Sequence, residues 1–446
     1  MKIGTAYAAA LVVVLATGTA AGGIIHVPDD YPSIKKAIAA SAETDTVLVA
    51  PGTYTGPDNL SIIIEDRQFV LRSEGGPENT VIDGGGASYA FMLSGIPSTA
   101  LLQGFTIRNC SYTTGGAVRF GSDVNLVIRD CWFRDNTTEG SGGSAVYSVS
   151  ATSAAFEECV FEGNQGCAVY LDNAGSVEVR FETCSFIENS GGAIYCNSYT
   201  RISLVECLFE DNATTAFGGA VECNSFGTSV AATECSFHGN SAGMDGGAID
   251  AYCGAIRLED CILAENDAGQ HGGAICGWRG VDVDGSTFVE NHAASAGGGL
   301  WILGAHSPAL TNCTLVGNAS PLGSGIWVED PTLLIEGSLI AFSTEGAAVS
   351  LDPGAQVHLS CCDLYGNSGG DWTGAIADQL GLNGNISEDP LFCMETSSLS
   401  PWTLQSDSPC APGNSGGCGL IGAWPVDCTP TLVESRSWGQ IKALYR

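Results

Sequence analysis

Lysine is almost missing from this chain: among 446 residues there are only Lys2, Lys35, Lys36 and Lys442. Arginine adds little, so 16 basic residues face 49 acidic ones and the formal charge is −33. A chain so short of cations cannot neutralise a row of phosphates, which excludes nucleic-acid binding by charge. Long apolar runs are also scarce. After the first two dozen residues none reaches the roughly 18 apolar residues of a membrane helix. Charged residues make up only 15% against 44% apolar ones, a balance that builds a core and excludes a disordered polyelectrolyte. Glycine is plentiful, with 60 residues, but follows no three-residue period, which excludes a collagen.

The chain begins with Met1-Lys2, an apolar stretch from Ala6 to Ala16 and small residues from Thr17 to Gly23. That order predicts a secretory signal peptide over residues 1–21. The mature protein is then expected to be exported, extracellular or on the cell surface, with association to an outer membrane included. Disulfides can form there. The 19 cysteines are an odd number, so at least one stays free or pairs between chains.

A unit of about 26 residues organises the rest: Cys-x-Phe-x-x-Asn, a short turn, then Gly-Gly-Ala-Ile or Val. Its anchors are Gly104, Cys131, Cys159, Cys184, Cys207, Cys235, Cys261, Ser286, Cys313, Ser338 and Cys362. Five residues on, ten of the eleven copies carry Asn, from Asn109 to Asn367, and only Ser343 departs. Inside a copy the apolar residues alternate with period two, as in Val124, Leu126 and Ile128, which indicates strand. From Ile128 to Cys131 the step is three, which predicts a corner between two strands. A third strand follows the paired glycines.

Three short strands and three turns per copy predict an all-β fold, a right-handed parallel β-helix solenoid. Inward Cys and Phe should stack from coil to coil. The Asn residues should sit at a corner, in a left-handed backbone, and bond as a ladder. A short helix after Asp30-Tyr31-Pro32-Ser33 should cover the first coil. The expected divisions are 1–21 leader, 22–103 N-terminal cap and first coils, 104–385 repeats, 386–428 cysteine-rich cap and 429–446 tail. Cys393, Cys410, Cys418 and Cys428 should be oxidised in that cap, in one of three pairings, over the far end of the solenoid. The anchor cysteines should stay reduced.

The residue after the aliphatic of the Gly-Gly-Ala motif should point outward. Read down the coils it includes Tyr147, Tyr170, Tyr195, Glu222, Asp250, Trp301 and Trp327. Aromatics and carboxylates on one exposed face suit a sugar platform, because rings stack on pyranoses and carboxylates accept hydroxyl hydrogens. If Glu222 and Asp250 are one coil apart, their spacing also suits a retaining glycosidase pair. A second column, Asp130, Glu158, Glu206, Glu234 and Asp260, is a candidate for bridging by Ca2+. The histidines have no metal-ligand spacing.

The motifs Gly191-Gly192-Ala193-Ile194, Gly218-Gly219-Ala220-Val221, Gly246-Gly247-Ala248-Ile249 and Gly272-Gly273-Ala274-Ile275, with partners such as Phe186 to Asn189, resemble the repeats of chlamydial polymorphic outer membrane proteins. The resemblance covers about residues 104–367. It implies a pectin-lyase-like β-helix on a surface or secreted passenger linked to adhesion. That family ends in a β-barrel translocator, for which residues after 428 leave no room. The stretch Val27 to Ile34 with Val47 to Tyr54 also resembles the first coil of extracellular β-helix esterases and lyases, and brings no catalytic residue with it.

Two function classes follow. One is a non-enzymatic, adhesin-like protein that binds a polysaccharide, a cell-surface glycan or other surface proteins. The other is a polysaccharide-degrading lyase or glycoside hydrolase. Polygalacturonase motifs are absent, and His271-Gly272 reads as part of a repeat glycine pair.

Overall fold

The computed structural model describes residues 22–428 apart from 114, 141, 151, 173–177, 305–307, 331 and 394–400. The leader expected over 1–21 and the tail from 429 lie outside the described residues. Each copy of the repeat makes one coil, as in Val124–Arg129, Trp132–Arg134 and Val146–Ser148. Each strand pairs in parallel with its counterpart one coil on: Val124 with Thr152, Trp132 with Val160, Val146 with Val169. The product is a right-handed parallel β-helix. Its three sheets, named first, second and third in chain order, have 14, 13 and 12 strands.

The interior consists of columns of like residues. Phe161, Phe186, Phe209 and Phe237 stack with centroids 4.6–4.7 Å apart, close to the ~4.8 Å spacing of paired strands. Beside them the Asn column is a fully buried ladder from Asn136 to Asn318. Asn189 Nδ2 donates to Asn212 Oδ1 at 2.8 Å and to the Phe161 carbonyl at 3.0 Å. The Asn189 backbone N–H donates to the same Oδ1 at 3.2 Å. Each side chain so closes a corner of one coil onto the next, and a buried amide of four bonding capacities is used fully.

Two details of the corner differ from the expectation. The left-handed residues are not the Asn but the acids before it: Asp135, Glu188, Asp211, Glu265 and Glu290 have φ of 50–55°. The ladder Asn needs its own N–H and amide aimed inward, so the residue ahead makes the turn. The first copy is also out of phase by one. Thr106 pairs with Trp132, so Phe105 rather than Gly104 matches Cys131, and Asn109, at φ 50°, matches Asp135. Cys110 takes the ladder place, its N–H donating to Asn136 Oδ1 at 3.0 Å.

The anchor cysteines are free and buried, as their parallel stacking requires. Their thiols bond to backbone carbonyls, as Cys184 does to Phe156 at 3.4 Å. Burial pushes the Cys131 thiol well above its ordinary pKa.

Both ends of the solenoid are covered. Ile34–Ala40 is the expected helix, with Ile34, Ala37 and Ile38 buried. The Arg67 guanidinium holds its C-terminal end by donating to the Ile38 and Ser41 carbonyls. At the far end the 3-10 turn Gly374–Gln379 buries Ile376, and the Gln379 amide pairs with the edge strand at Val357 and Leu359.

The cysteine-rich segment does not sit over that end. It runs back along the outer face of the second sheet, where Phe392, Trp402, Leu404 and Ile421 cover Val316, Leu339 and Ala341. Trp424 Nε1 donates to Thr287 Oγ1 at 2.9 Å. Its disulfides are Cys361–Cys418 and Cys393–Cys428. Cys410 is not bridged, contrary to the expectation. It is buried, its thiol donates to Asp363 Oδ2 at 3.1 Å, and Cys361 from the last coil takes its expected place.

Candidate functional site

The outward column of the third sheet is in register along its whole length. Arg119 pairs with Tyr147, Tyr147 with Tyr170, Tyr170 with Tyr195, Tyr195 with Glu222 and Glu222 with Asp250. Cys276, Trp301, Trp327 and Ser350 continue it. All seven candidate residues therefore share one strip, at most one per coil.

They do not share one environment. Tyr147, Tyr170, Tyr195, Glu222 and Trp327 are half-buried, whereas Asp250 and Trp301 are only 2% and 5% exposed. The expectation of an exposed aromatic at 301 and an exposed carboxylate at 250 is therefore corrected. Trp301 is covered from both sides. Trp278, on the turn after the strand, lies 5.3 Å from its ring, and His271, on the turn before, stacks at 5.3 Å. His271 is held by Asp245, with Nδ1 2.8 Å from Oδ1. So the column is open at coils 147–222 and filled at 250–301.

A second correction concerns ring faces. Tyr147 stacks on Tyr170 at 5.4 Å and Tyr170 on Tyr195 at 4.8 Å. The tyrosines spend their faces on each other and present edges and hydroxyls outward. The end rings, Tyr147 and Tyr195, each keep one face without a ring partner among the described residues, and Tyr195 borders a hollow together with Glu222. Cys167, Tyr170, Tyr195, Phe217 and Glu222 line this hollow of about 220 Å³. Asn224 Nδ2 donates to the Tyr195 hydroxyl at 3.2 Å and fixes the ring. A larger hollow of about 500 Å³ lies over Gly85, Asn109, Asp135 and Gln165, with one ionisable side chain and no aromatic wall. The smaller one brings more chemistry together.

Burial sets the electrostatics of the hollow. It raises Glu222 to about 7 and Tyr170 to about 12. Cys167 is pushed to about 12 by burial and by the Glu222 charge. Asp250 is raised well above the carboxylate range by burial, with Glu222 and Asp245 adding to the effect and the Cys276 thiol opposing it. Asp250 Oδ1 has no hydrogen-bond partner among the described residues. Two carboxyl groups on neighbouring coils are thus both raised toward the neutral form.

The acidic corner column is real but does not converge. Asp130, Glu158, Glu206, Glu234 and Asp260 each have φ of 48–55° and stand in line at one corner. Among the described residues no three His, Cys, Asp or Glu side chains are placed to hold a metal ion. The corner gives all five a left-handed backbone, and Asp260 leans over Gly285 of the next coil, where a Cβ would clash with its carboxylate.

Matches to the model of the right-handed beta helix region cover residues 77–233, 144–319 and 219–386, which together exceed half the chain. The chain belongs to the right-handed β-helix family. No curated protein matches it in sequence. Among solved structures it is similar to a mutant of a PL6-family alginate lyase, at 10% identity and a TM-score of 0.43 over 93% of this chain. It spans 60% of that lyase's length. It is also similar to a pectate lyase, at 15% identity and a TM-score of 0.34 over 89% of this chain and 91% of that one. At such distances these likenesses bear on neither substrate nor chemistry. The narrower resemblance to chlamydial outer membrane repeats gains no support from the family match.

Proposed function

We propose that this chain is an exported polysaccharide-binding β-helix protein that takes a sugar ring in the hollow between Tyr195 and Glu222. The observation that carries the reading is the fixed free face of Tyr195 beside a half-buried carboxyl group. A ring offers the apolar side of a pyranose a surface, and a carboxyl group near its pKa can donate to or accept from sugar hydroxyls. The tyrosine hydroxyls of the column extend the same strip with polar contacts. Export rests on the composition of residues 1–21.

The test is retardation of the purified protein in gels carrying a panel of polysaccharides. Tyr195→Ala should weaken retention about tenfold, the equivalent of about 1.4 kcal/mol. Equal retention of the variant on every gel that retards the parent would remove the site.

One observation favours a second reading, a polysaccharide-degrading enzyme. Glu222 and Asp250 stand on paired strands, ~4.8 Å apart along the sheet, near the ~5–5.5 Å carboxyl separation of retaining glycosidases. A Glu raised to about 7 suits a general acid. Asp250, however, is buried and cannot meet an anomeric carbon as it stands. Release of reducing or unsaturated ends from the panel, lost in Glu222→Gln, would move the protein to this class.

A further inference from the structure

Exposed aromatic residues are scarce in the tyrosine column but line the turns beside it, where Tyr252 packs on Trp278 with centroids 4.6 Å apart. Tyr199, Phe226, Tyr252 and Trp278 occupy the turn from the third sheet to the first in four consecutive coils. Tyr199, Phe226 and Tyr252 are 55%, 58% and 49% exposed. Water disfavours such a row, and the turns otherwise carry small or polar residues such as Ser198, Ser225 and Gly254. The row is also placed at a cost. Tyr199 has φ of 64°, a left-handed backbone that a bulky residue rarely adopts, and its ring lies against Gly227, where a Cβ would strike it. It adjoins the hollow, because Asn224 on the same turn as Phe226 holds the Tyr195 hydroxyl, and Trp278 packs on Trp301.

Charge selects the occupant. The sequence has no lysine between Lys36 and Lys442, so the cations near the row are guanidiniums. Arg108, Arg129, Arg134 and Arg180 are paired with carboxylates on the other two sheets. Arg119 lies over Tyr89 and Tyr112 at the distant end of the column, and Arg279 lies over the Phe226 ring at 5.0 Å. A polyuronate would bring a carboxylate per sugar to a chain of net charge −33 whose cations beside the row are the guanidiniums of Arg279, over the Phe226 ring, and of Arg201 and Arg257, on the first-sheet strands that follow the turns. An uncharged glycan meets no such repulsion, and its pyranose rings match a row of aromatic faces that repeats once per coil.

We infer that Tyr199, Phe226 and Tyr252 form a binding strip for a strand of uncharged polysaccharide running along the helix axis. This rests on the glycan reading above and names the substrate class. The test uses the full mature chain on gels of xylan, mixed-linkage β-glucan and mannan, with polygalacturonate and alginate beside them. At least one uncharged gel should retard the parent and neither polyuronate should. The triple variant Tyr199→Ala, Phe226→Ala, Tyr252→Ala should lose retention about tenfold or more at an unchanged melting temperature. Phe226→Ser alone, with a smaller loss, serves where the triple variant misfolds.

Retention on the polyuronates in place of the uncharged gels would overturn the substrate class and leave the hollow standing. Unchanged retention in both variants, with loss in Tyr195→Ala, would overturn the strip alone. No retention on any gel would overturn both. Sedimentation of the same samples covers the other occupant: a dimer that the triple variant abolishes would make the row a contact between two copies and overturn the inference.

Discussion

The third sheet has two outer regions built on identical strands. At coils 147–222 the outward residues are half-buried and form an open strip; at coils 250–301 they are covered. The backbone does not cause this, since the ladder runs through both without a break in register. The cause is where the residues on the flanking turns pack. His271 and Trp278 close over Trp301, whereas Phe217 and Asn224 stand aside from Glu222. Thus the strand position decides which side chains share a face, and the turns decide which of them a ligand can reach.

The largest expected effect comes from breaking the covered region. Trp301→Ala should destabilise the fold by about 3–5 kcal/mol, the range for truncating a buried large aromatic. Tyr170→Ala, five coils away in the same column, should cost far less, because that residue is only half-buried. Urea denaturation of both variants measures the contrast. Equal midpoints would mean that coils 250–301 are as open as coils 147–222.

A second break addresses what the two regions have in common. Asn212→Ala removes an amide that accepts from Asn189 and donates to Asn240 Oδ1 at 2.9 Å and the Phe186 carbonyl at 2.9 Å. The buried partners left behind have no water to turn to. The expected loss is about 2–3 kcal/mol, more than one ordinary hydrogen bond. If the ladder joins the two regions into one cooperative unit, both should unfold together in this variant. A biphasic transition followed by tryptophan fluorescence would show that they are separable.

These contrasts mark how much was legible from residues alone. The repeat showed the strands, the corners, the Phe and Asn columns and even the register of Tyr147, because an inward position is forced to a like residue by its neighbour above and below. The outward column was legible as a line for the same reason. Its exposure was not, since burial of Trp301 depends on Trp278 and His271, which lie on turns of variable length with no common pattern. Cys410 failed similarly. Cysteine count and spacing mark a disulfide-bearing cap but do not separate Cys410 from Cys361, which the fold brings within bridging distance of Cys418. The flank on which the cap lies had a signal that went unread: outward positions of the second sheet turn apolar at Val289, Val316 and Leu339.

The smallest expected effect sharpens the comparison at its boundary, where Glu222 of the open strip meets Asp250 of the covered one. Burial raises Glu222 from 4.5 to about 7. A raised carboxyl contributes stability that is complete below its unfolded pKa and is lost as pH rises through its folded pKa. The parent should therefore lose stability between about pH 5 and pH 8. Asp250 and Asp363, also raised by burial, add to that loss, so the parent alone does not report on Glu222. Glu222→Gln keeps the shape and removes one titration. The variant should match the parent near pH 5 and exceed it by roughly 1–3 kcal/mol near pH 8. Charge repulsion acts in the other direction, since the Glu222 charge raises Asp250 while burial alone raises Glu222: in an Asp250→Asn background the Glu222 midpoint should hold. A Glu222 contribution that is flat with pH would place its carboxyl in open water, and the hollow beside Tyr195 would lose the group that makes it chemically distinct from the rest of the strip.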